Sequence, residues 1–242
     1  TMEPSFKKIF AVITVLWVGL LASDQVLASG ADMKTPEGAV TAYLEGVAQQ
    51  DFDKVVAASA ADRMSVKFDF AAYAGRTGAI LKNGPLPANH GLFTGMNKAK
   101  FDAQLANGLQ VFVYSLMTRE FEDANSAVLV DDAEAVAFIR TVQADRLKTI
   151  SIIKIGSPKA SGPAHEAELL KAAQTAKVYG ADELAERLAL ISFEGETFVT
   201  AFTLLRYGGE WAVMGQYANA AAVTEPGIAA RVNTEDFETL LD

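Results

Sequence analysis

The sequence predicts an α+β domain in which helices precede an antiparallel meander. Three observations predict it. Two capped helix starts stand close together at residues 35–51. One apolar stripe at helical spacing runs from Phe101 to Leu116. Near the end, β-rich runs are separated by the two-residue turns Glu194-Gly195 and Gly208-Gly209. No internal repeat and no shift in composition divides the chain.

The first helix is marked by Thr35 as its cap, Pro36 in the first helical position and Glu37 in the first turn. Val40, Tyr43, Leu44 and Val47 then share one face. Gln49-Gln50 interrupts the pattern, and Asp51 caps a second helix with Phe52, Val55, Val56 and Ser59 on one side. Ser65 to Phe70 alternates apolar and polar residues and reads as a short strand. Asn83 to Pro87 is a loop, prolonged by His90-Gly91 and Thr94-Gly95. A loop of this length inside a compact domain is often functional.

Asn97 is the expected cap of the longest helix, with Phe101, Leu105, Leu109, Phe112 and Leu116 in one stripe that Val113 widens. Leu109 and Phe112 lie mid-stripe and are expected to be buried. Ser126 to Val130 reads as a strand. Ala133 to Leu147 admits helix or strand, Val136, Ile139 and Val142 favouring the helix. Thr149 to Ile155 (TISIIKI) is β-branched and reads as a buried strand. Gly156 to Pro163 is a loop, and a helix from Ala164 to Tyr179 ends at Gly180. The meander follows as Leu188–Phe193, Thr197–Tyr207 and Trp211–Tyr217. The domain is expected to span 29–217, and 218–242 is expected to be a tail with a short helix capped by Thr234.

Ahead of these elements stands a leader. Lys7-Lys8 precedes the uncharged apolar run Ile9–Ala22, 14 residues long. A membrane-spanning helix needs about 20, whereas this length suits the core of a signal peptide. Val26-Leu27-Ala28 places cleavage after Ala28, so residues 1–28 are expected to be a signal peptide and the mature protein periplasmic or secreted, not membrane-embedded.

Composition narrows the function classes. Half of the 242 residues are hydrophobic and 9% aromatic, enough for a packed core. The net charge of −9 repels phosphate backbones and anionic lipid, so nucleic acid is not an expected partner. Cysteine is absent, which excludes disulfides, thiolate nucleophiles, thiolate zinc sites and anchoring through an N-terminal cysteine. An exported domain of this kind is held together by packing alone.

No phosphate-binding glycine loop, dinucleotide fingerprint, serine elbow or HExxH motif occurs. His165-Glu166 begins like the last of these without the second histidine. His90, in the long loop, is the candidate general acid or base, and His165 with Glu166 and Glu168 is a weak metal pattern, so no metal and no cofactor are expected. Asp51/Asp53 and Asp131/Asp132 stand at helix starts, where capping explains them. Arg140, Arg146, Lys148, Lys154 and Lys159 make residues 135–160 locally basic, a pattern that suits a solvated face or an anionic partner.

TPEGAVTAYLEGVAQQDFDKVV, the later long helix and the closing GGEWAVMGQY together resemble the NTF2-like (SnoaL-like, cystatin-like α+β) superfamily. MNKAKFDAQLANGLQVFVYSLM and YGADELAERLAL resemble segments of exported bacterial proteins of unassigned function. The superfamily resemblance implies a curved antiparallel sheet with the N-terminal and central helices on its concave face, enclosing a conical pocket. It implies no single activity, because that fold hosts isomerases, dehydratases, binders and interaction modules. In such a pocket, Tyr114 and Arg119 from the long helix and Arg206 and Tyr217 from the last strands are the expected ligand-binding side chains. A phenol there donates to an oxyanion and a guanidinium clamps a carboxylate. The expected function is a non-catalytic envelope module that binds a small apolar or amphipathic ligand or an envelope protein partner, with a homodimer possible. The alternative is a cofactor-free NTF2-like enzyme of isomerase or dehydratase type.

Overall fold

A computed structural model describes residues 32–118, 131–159 and 164–242, the side chains of residues 164 and 165 excepted. The leader, Arg119 and the strand expected at 126–130 lie outside these residues.

Helix α1 (Pro36–Ala48) opens as expected, with Thr35 Oγ1 accepting from the Gly38 amide at 3.0 Å. Asp51 caps α2 (Phe52–Ala57) by accepting from Lys54 N at 3.1 Å. The strand expected at Ser65–Phe70 is instead divided between two helices, α3 (Ala61–Lys67) and α4 (Phe70–Thr77). Ala61, Met64, Ser65 and Phe68 are all buried, and their spacing is helical. That longer period prevails over a brief alternation. Asp69 then starts α4, accepting from Ala72 N at 2.9 Å.

Helix α5 (Gly91–Met117) begins six residues before the expected cap. His90 is the cap, its Nδ1 accepting from Leu92 N at 3.1 Å, and Thr94-Gly95 is helical. Asn97 therefore lies inside the helix, buried, where it clamps the preceding loop. Its Nδ2 donates to Leu86 O at 2.7 Å and its Oδ1 accepts from Leu86 N at 2.8 Å. Asn97→Ala is expected to cost about 1–3 kcal/mol, because both Leu86 backbone groups lose their partner. Urea unfolding measures it, and an unchanged midpoint would refute the clamp. Phe101, Leu105, Phe112 and Leu116 are buried as the stripe requires, while Leu109 and Val113 are half-buried at its margin.

The ambiguous segment 133–147 is helical: α6 (Asp132–Thr141), capped by Asp131, then a 3₁₀ helix at Ala144–Thr149. Strand β1 (Ser151–Gly156) is not a buried strand. It lies at the sheet edge, pairs with β2 alone, carries a register shift between Ile152 and Lys154, and leaves Ile153 49% exposed. Bulges and lysines are usual on strands that must not recruit a further strand. Helix α7 (Ala164–Val178) is followed by Gly180 at φ +60.

The meander is β2 (Glu183–Phe193), β3 (Glu196–Tyr207) and β4 (Glu210–Gly215), with sheet order β1-β2-β3-β4, all antiparallel. β2 starts earlier than expected because its pairing with β3 continues unbroken to Glu183↔Arg206. The β2–β3 turn places Glu194 and Gly195 both at positive φ, the I′ geometry that matches strand twist. Strand β5 (Ala229–Arg231) pairs with Phe198–Thr200 of β3, while β4 pairs with Thr203–Tyr207 of the same strand. β4 and β5 thus follow one another along one side of β3, and residues 216–228 make an excursion between them. Helix α8 (Thr234–Thr239) closes the chain, capped by Asn233 one residue before the expected Thr234.

Both faces of the sheet are covered. Ala189, Ile191, Phe198, Phe202 and Leu204 pack against Val40, Tyr43 and Leu44 of α1 and Phe112 of α5. The alternate residues face the other way, as strand periodicity dictates. Leu188, Leu190 and Ala201 meet Ala218 and Phe237, while Leu205 and Tyr207 meet Ala61, Met64 and Phe101. The architecture is the expected α+β one, an open antiparallel sheet with packed helices. The α1 side of the sheet, where the resemblance implies a pocket, is filled by Tyr43, Phe112 and Phe202, all fully buried. Among the described residues no helix is long and apolar enough to cross a membrane.

Candidate functional site

The space for a ligand lies where the 216–228 excursion leaves the sheet. Two clefts adjoin there. The first, about 480 Å³, lies between Met64, Phe101, Leu105 and Val111 on one side and Gln216 and Pro226 on the other. The second, about 590 Å³, lies between Ala172 and Thr175 of α7, Leu184 and Glu186 of β2, and Ala220. Tyr179, Met214 and Tyr217 line both and form their common wall.

Local chemistry explains why the wall stands there. The register of β3 on β4 shifts between Thr203 and Leu204, and Thr203 Oγ1 donates to Tyr217 O at 2.7 Å, holding the chain as it leaves the sheet. Gly215 makes room for the ring, since a Cβ there would sit 2.7 Å from Tyr217 Cε1. The Glu186 carboxylate accepts from the amides of Asn219 and Ala220, each at 2.9 Å, and so anchors the next turn. The far end is tied by Gly227 N donating to Gln216 O at 2.8 Å and Ala229 N donating to Ser115 Oγ at 3.0 Å.

The wall is apolar with donors set into it. Burial pushes the Tyr217 phenol up to about 12, and burial raises Tyr179 too, with the nearby Arg76 guanidinium opposing both shifts. Both rings therefore keep their protons at neutral pH. The Tyr217 hydroxyl points at Met214 Sδ, 3.6 Å away, a weak acceptor. Gln216 is 3% exposed, and its Oε1 accepts from Tyr43 OH at 2.9 Å. Its buried Nε2 has no hydrogen-bond partner. An unmatched buried donor is costly and marks a place where an acceptor belongs. Such a wall can hold a carbonyl or carboxylate oxygen. Of the described side chains lining the first cleft, Glu225 is the carboxylate and none is a histidine.

Of the described side chains expected from sequence, Tyr217 lines these two clefts and Tyr114 and Arg206 do not. Tyr114 lies elsewhere, its ring 5.8 Å from Phe138. Arg206 pairs with Glu183 at 3.1 Å and lies over Trp211. His90 is an exposed helix cap beside Phe93, outside both clefts. The backbone of His165 lies in the first turn of α7. Three cations of the basic segment are matched by acids: Arg146 bonds Glu194 through two nitrogens at 2.8 and 2.6 Å, Lys148 meets Asp145, and Lys154 meets Glu238. Among the described residues no three His, Asp or Glu side chains gather as a metal site. Gln216, Tyr179 and Met214 escape a reading of the sequence, because only the fold sets them beside Tyr43, Phe101 and Tyr217.

The chain matches no protein-family model and no curated protein sequence. Among solved structures it is similar to a cystatin-like protein from Ruminococcus gnavus ATCC 29149, with 15% identity and a TM-score of 0.47. The likeness covers 82% of this chain and 44% of that one, so the chain spans less than half the length of the protein it matches.

Proposed function

We propose that the protein is a non-catalytic binding module of the bacterial envelope that takes a small apolar or amphipathic ligand in the clefts at Tyr217. The observation that carries this reading is the common wall. Two adjoining clefts of several hundred Å³ share Met214 and two half-buried tyrosines, with an unmatched amide donor beside them. Cavities of this size, mostly apolar with a few placed polar groups, are typical of small-molecule sites. Envelope placement rests on the leader, Lys7-Lys8 followed by the short apolar run Ile9–Ala22. His90 as an exposed cap gives the enzyme alternative little support.

Nile red, a neutral apolar dye, tests the reading. Its fluorescence is expected to rise saturably on titration with the wild-type protein. Val111 lines the first cleft and is half-buried, so Val111→Trp fills the space at small cost to the core. The variant is expected to weaken dye binding at least about tenfold, the loss of one well-packed contact region, with an unchanged melting temperature. An absence of saturable binding, or equal binding by the variant, would overturn the proposal.

A further inference from the structure

We infer that the ligand of these clefts is an apolar monocarboxylate, its body in the first cleft and its carboxylate where Gln216 adjoins the wall of Tyr179 and Tyr217, with Arg76 lining the cleft across that wall. The inference rests on the binding-module reading and names its ligand class.

The polar groups of the wall are unbalanced. Gln216 Nε2 is buried without an acceptor. The Tyr217 hydroxyl has a weak thioether acceptor and the Thr203 hydroxyl in reach, and no carbonyl or carboxylate oxygen of the described residues accepts from it. Tyr179 and Tyr217 are phenols, protonated donors at neutral pH, and burial favours that form further in both. Donors set in an apolar wall are complementary to an acceptor, and an ionised acceptor gains most from them. Arg76 supplies the matching charge. It lines the second cleft beside the same two tyrosines, close enough for its field to oppose the rise in both phenols.

The acids nearby fix the position more closely. Glu186 is occupied by two backbone amides, and Glu168 and Asp242 line the second cleft. Arg76 and Lys171 of the same lining stand against these acids and Arg187 is held by Glu37, so the second cleft as a whole carries no excess positive charge, and the common wall, with its donors, is the place for an anion. The apolar body belongs on the other side of that wall, where Met64, Phe101, Leu105 and Val111 offer hydrocarbon and Glu225 is the carboxylate of the described lining.

The test compares decanoate with decan-1-ol, which share their chain and differ in the head group. Calorimetric titration of the wild-type protein is expected to give decanoate at least about tenfold tighter affinity, the usual size of a charge-assisted hydrogen bond. Tyr217→Phe keeps the ring and removes the donor, and Arg76→Gln removes the charge. In each variant the decanoate-to-decanol ratio is expected to fall to about twofold. Arg76→Gln should also flatten the salt dependence of decanoate binding. Circular dichroism and melting temperature check that the variants fold. Equal affinity of the two ligands for the wild type, or an unchanged ratio in both folded variants, would overturn the carboxylate inference, while saturable Nile red binding would leave the binding reading standing. Failure of the dye and of both ligands would overturn both.

Discussion

Gly227→Ala is expected to destabilise the protein by about 3–5 kcal/mol, combining a positive-φ penalty with overpacking. Gly227 holds φ +89, where L side chains are strained. A Cβ built there would lie 1.8 Å from the carbonyl oxygen of Gly108 and 3.0 Å from its Cα, so the new atom meets helix backbone that no rotamer change can move. The excursion and α5 would have to part, straining the Gly227 N–Gln216 O and Ala229 N–Ser115 Oγ bonds. Gly108→Ala is the control on the facing residue. Its Cβ meets nothing nearer than 3.6 Å, and alanine suits a helix interior better than glycine. That variant is expected to lie within about 1 kcal/mol of wild type, on the stabilising side. Urea unfolding of both decides the matter. A Gly227→Ala midpoint equal to wild type would show that the excursion does not seat against α5.

The contrast between these two glycines shows what a sequence can reveal. Both are plain glycines in it, and one tolerates a methyl group only because of what faces it. Where structure is set by neighbours in the chain, the sequence is legible. Thr35-Pro36 and Asp51 start their helices, Glu194-Gly195 makes its hairpin, and the 101–116 stripe is buried at four of its five positions. Where two local signals compete, the sequence misleads. The alternation of Ser65–Phe70 yields to the longer period of Ala61, Met64, Ser65 and Phe68. Gly91 and Gly95 conceal the first turns of α5, which histidine, an unusual cap, begins. The β-branched run of β1 cannot disclose that it has a partner on one side only. Of the site, only Tyr217 is legible, as an aromatic residue at the end of the meander. Gln216 bonds Tyr43 across 173 residues, and its orphaned amide exists only once the fold has closed.

Phe112→Ala is expected to cost about 3–5 kcal/mol, the usual range for deleting a buried phenyl ring from a core that cannot collapse around the gap. The ring is fully buried, and it stands where the α5 stripe meets α1 and the sheet. Its surroundings are held by several independent ties, which is why collapse is unfavourable. Ser115, one turn on, accepts from Ala229 N, fixing α5 to the strand beside it. Tyr43 packs edge-on against Phe202 at 5.5 Å and is itself pinned by its bond to Gln216. Leu109 offers a comparison on the same helix. It is half-buried at the margin of the stripe, so Leu109→Ala removes fewer contacts and leaves a gap that water or neighbours can reach. Its cost is expected to be under half that of Phe112→Ala, roughly 1–2 kcal/mol. Thermal and urea unfolding of the two variants give the ratio. Equal costs would mean that α5 is rotated about its axis, with Leu109 turned as far into the core as Phe112. A melting temperature for Phe112→Ala within a degree or two of wild type would mean that the ring does not fill the centre of the core.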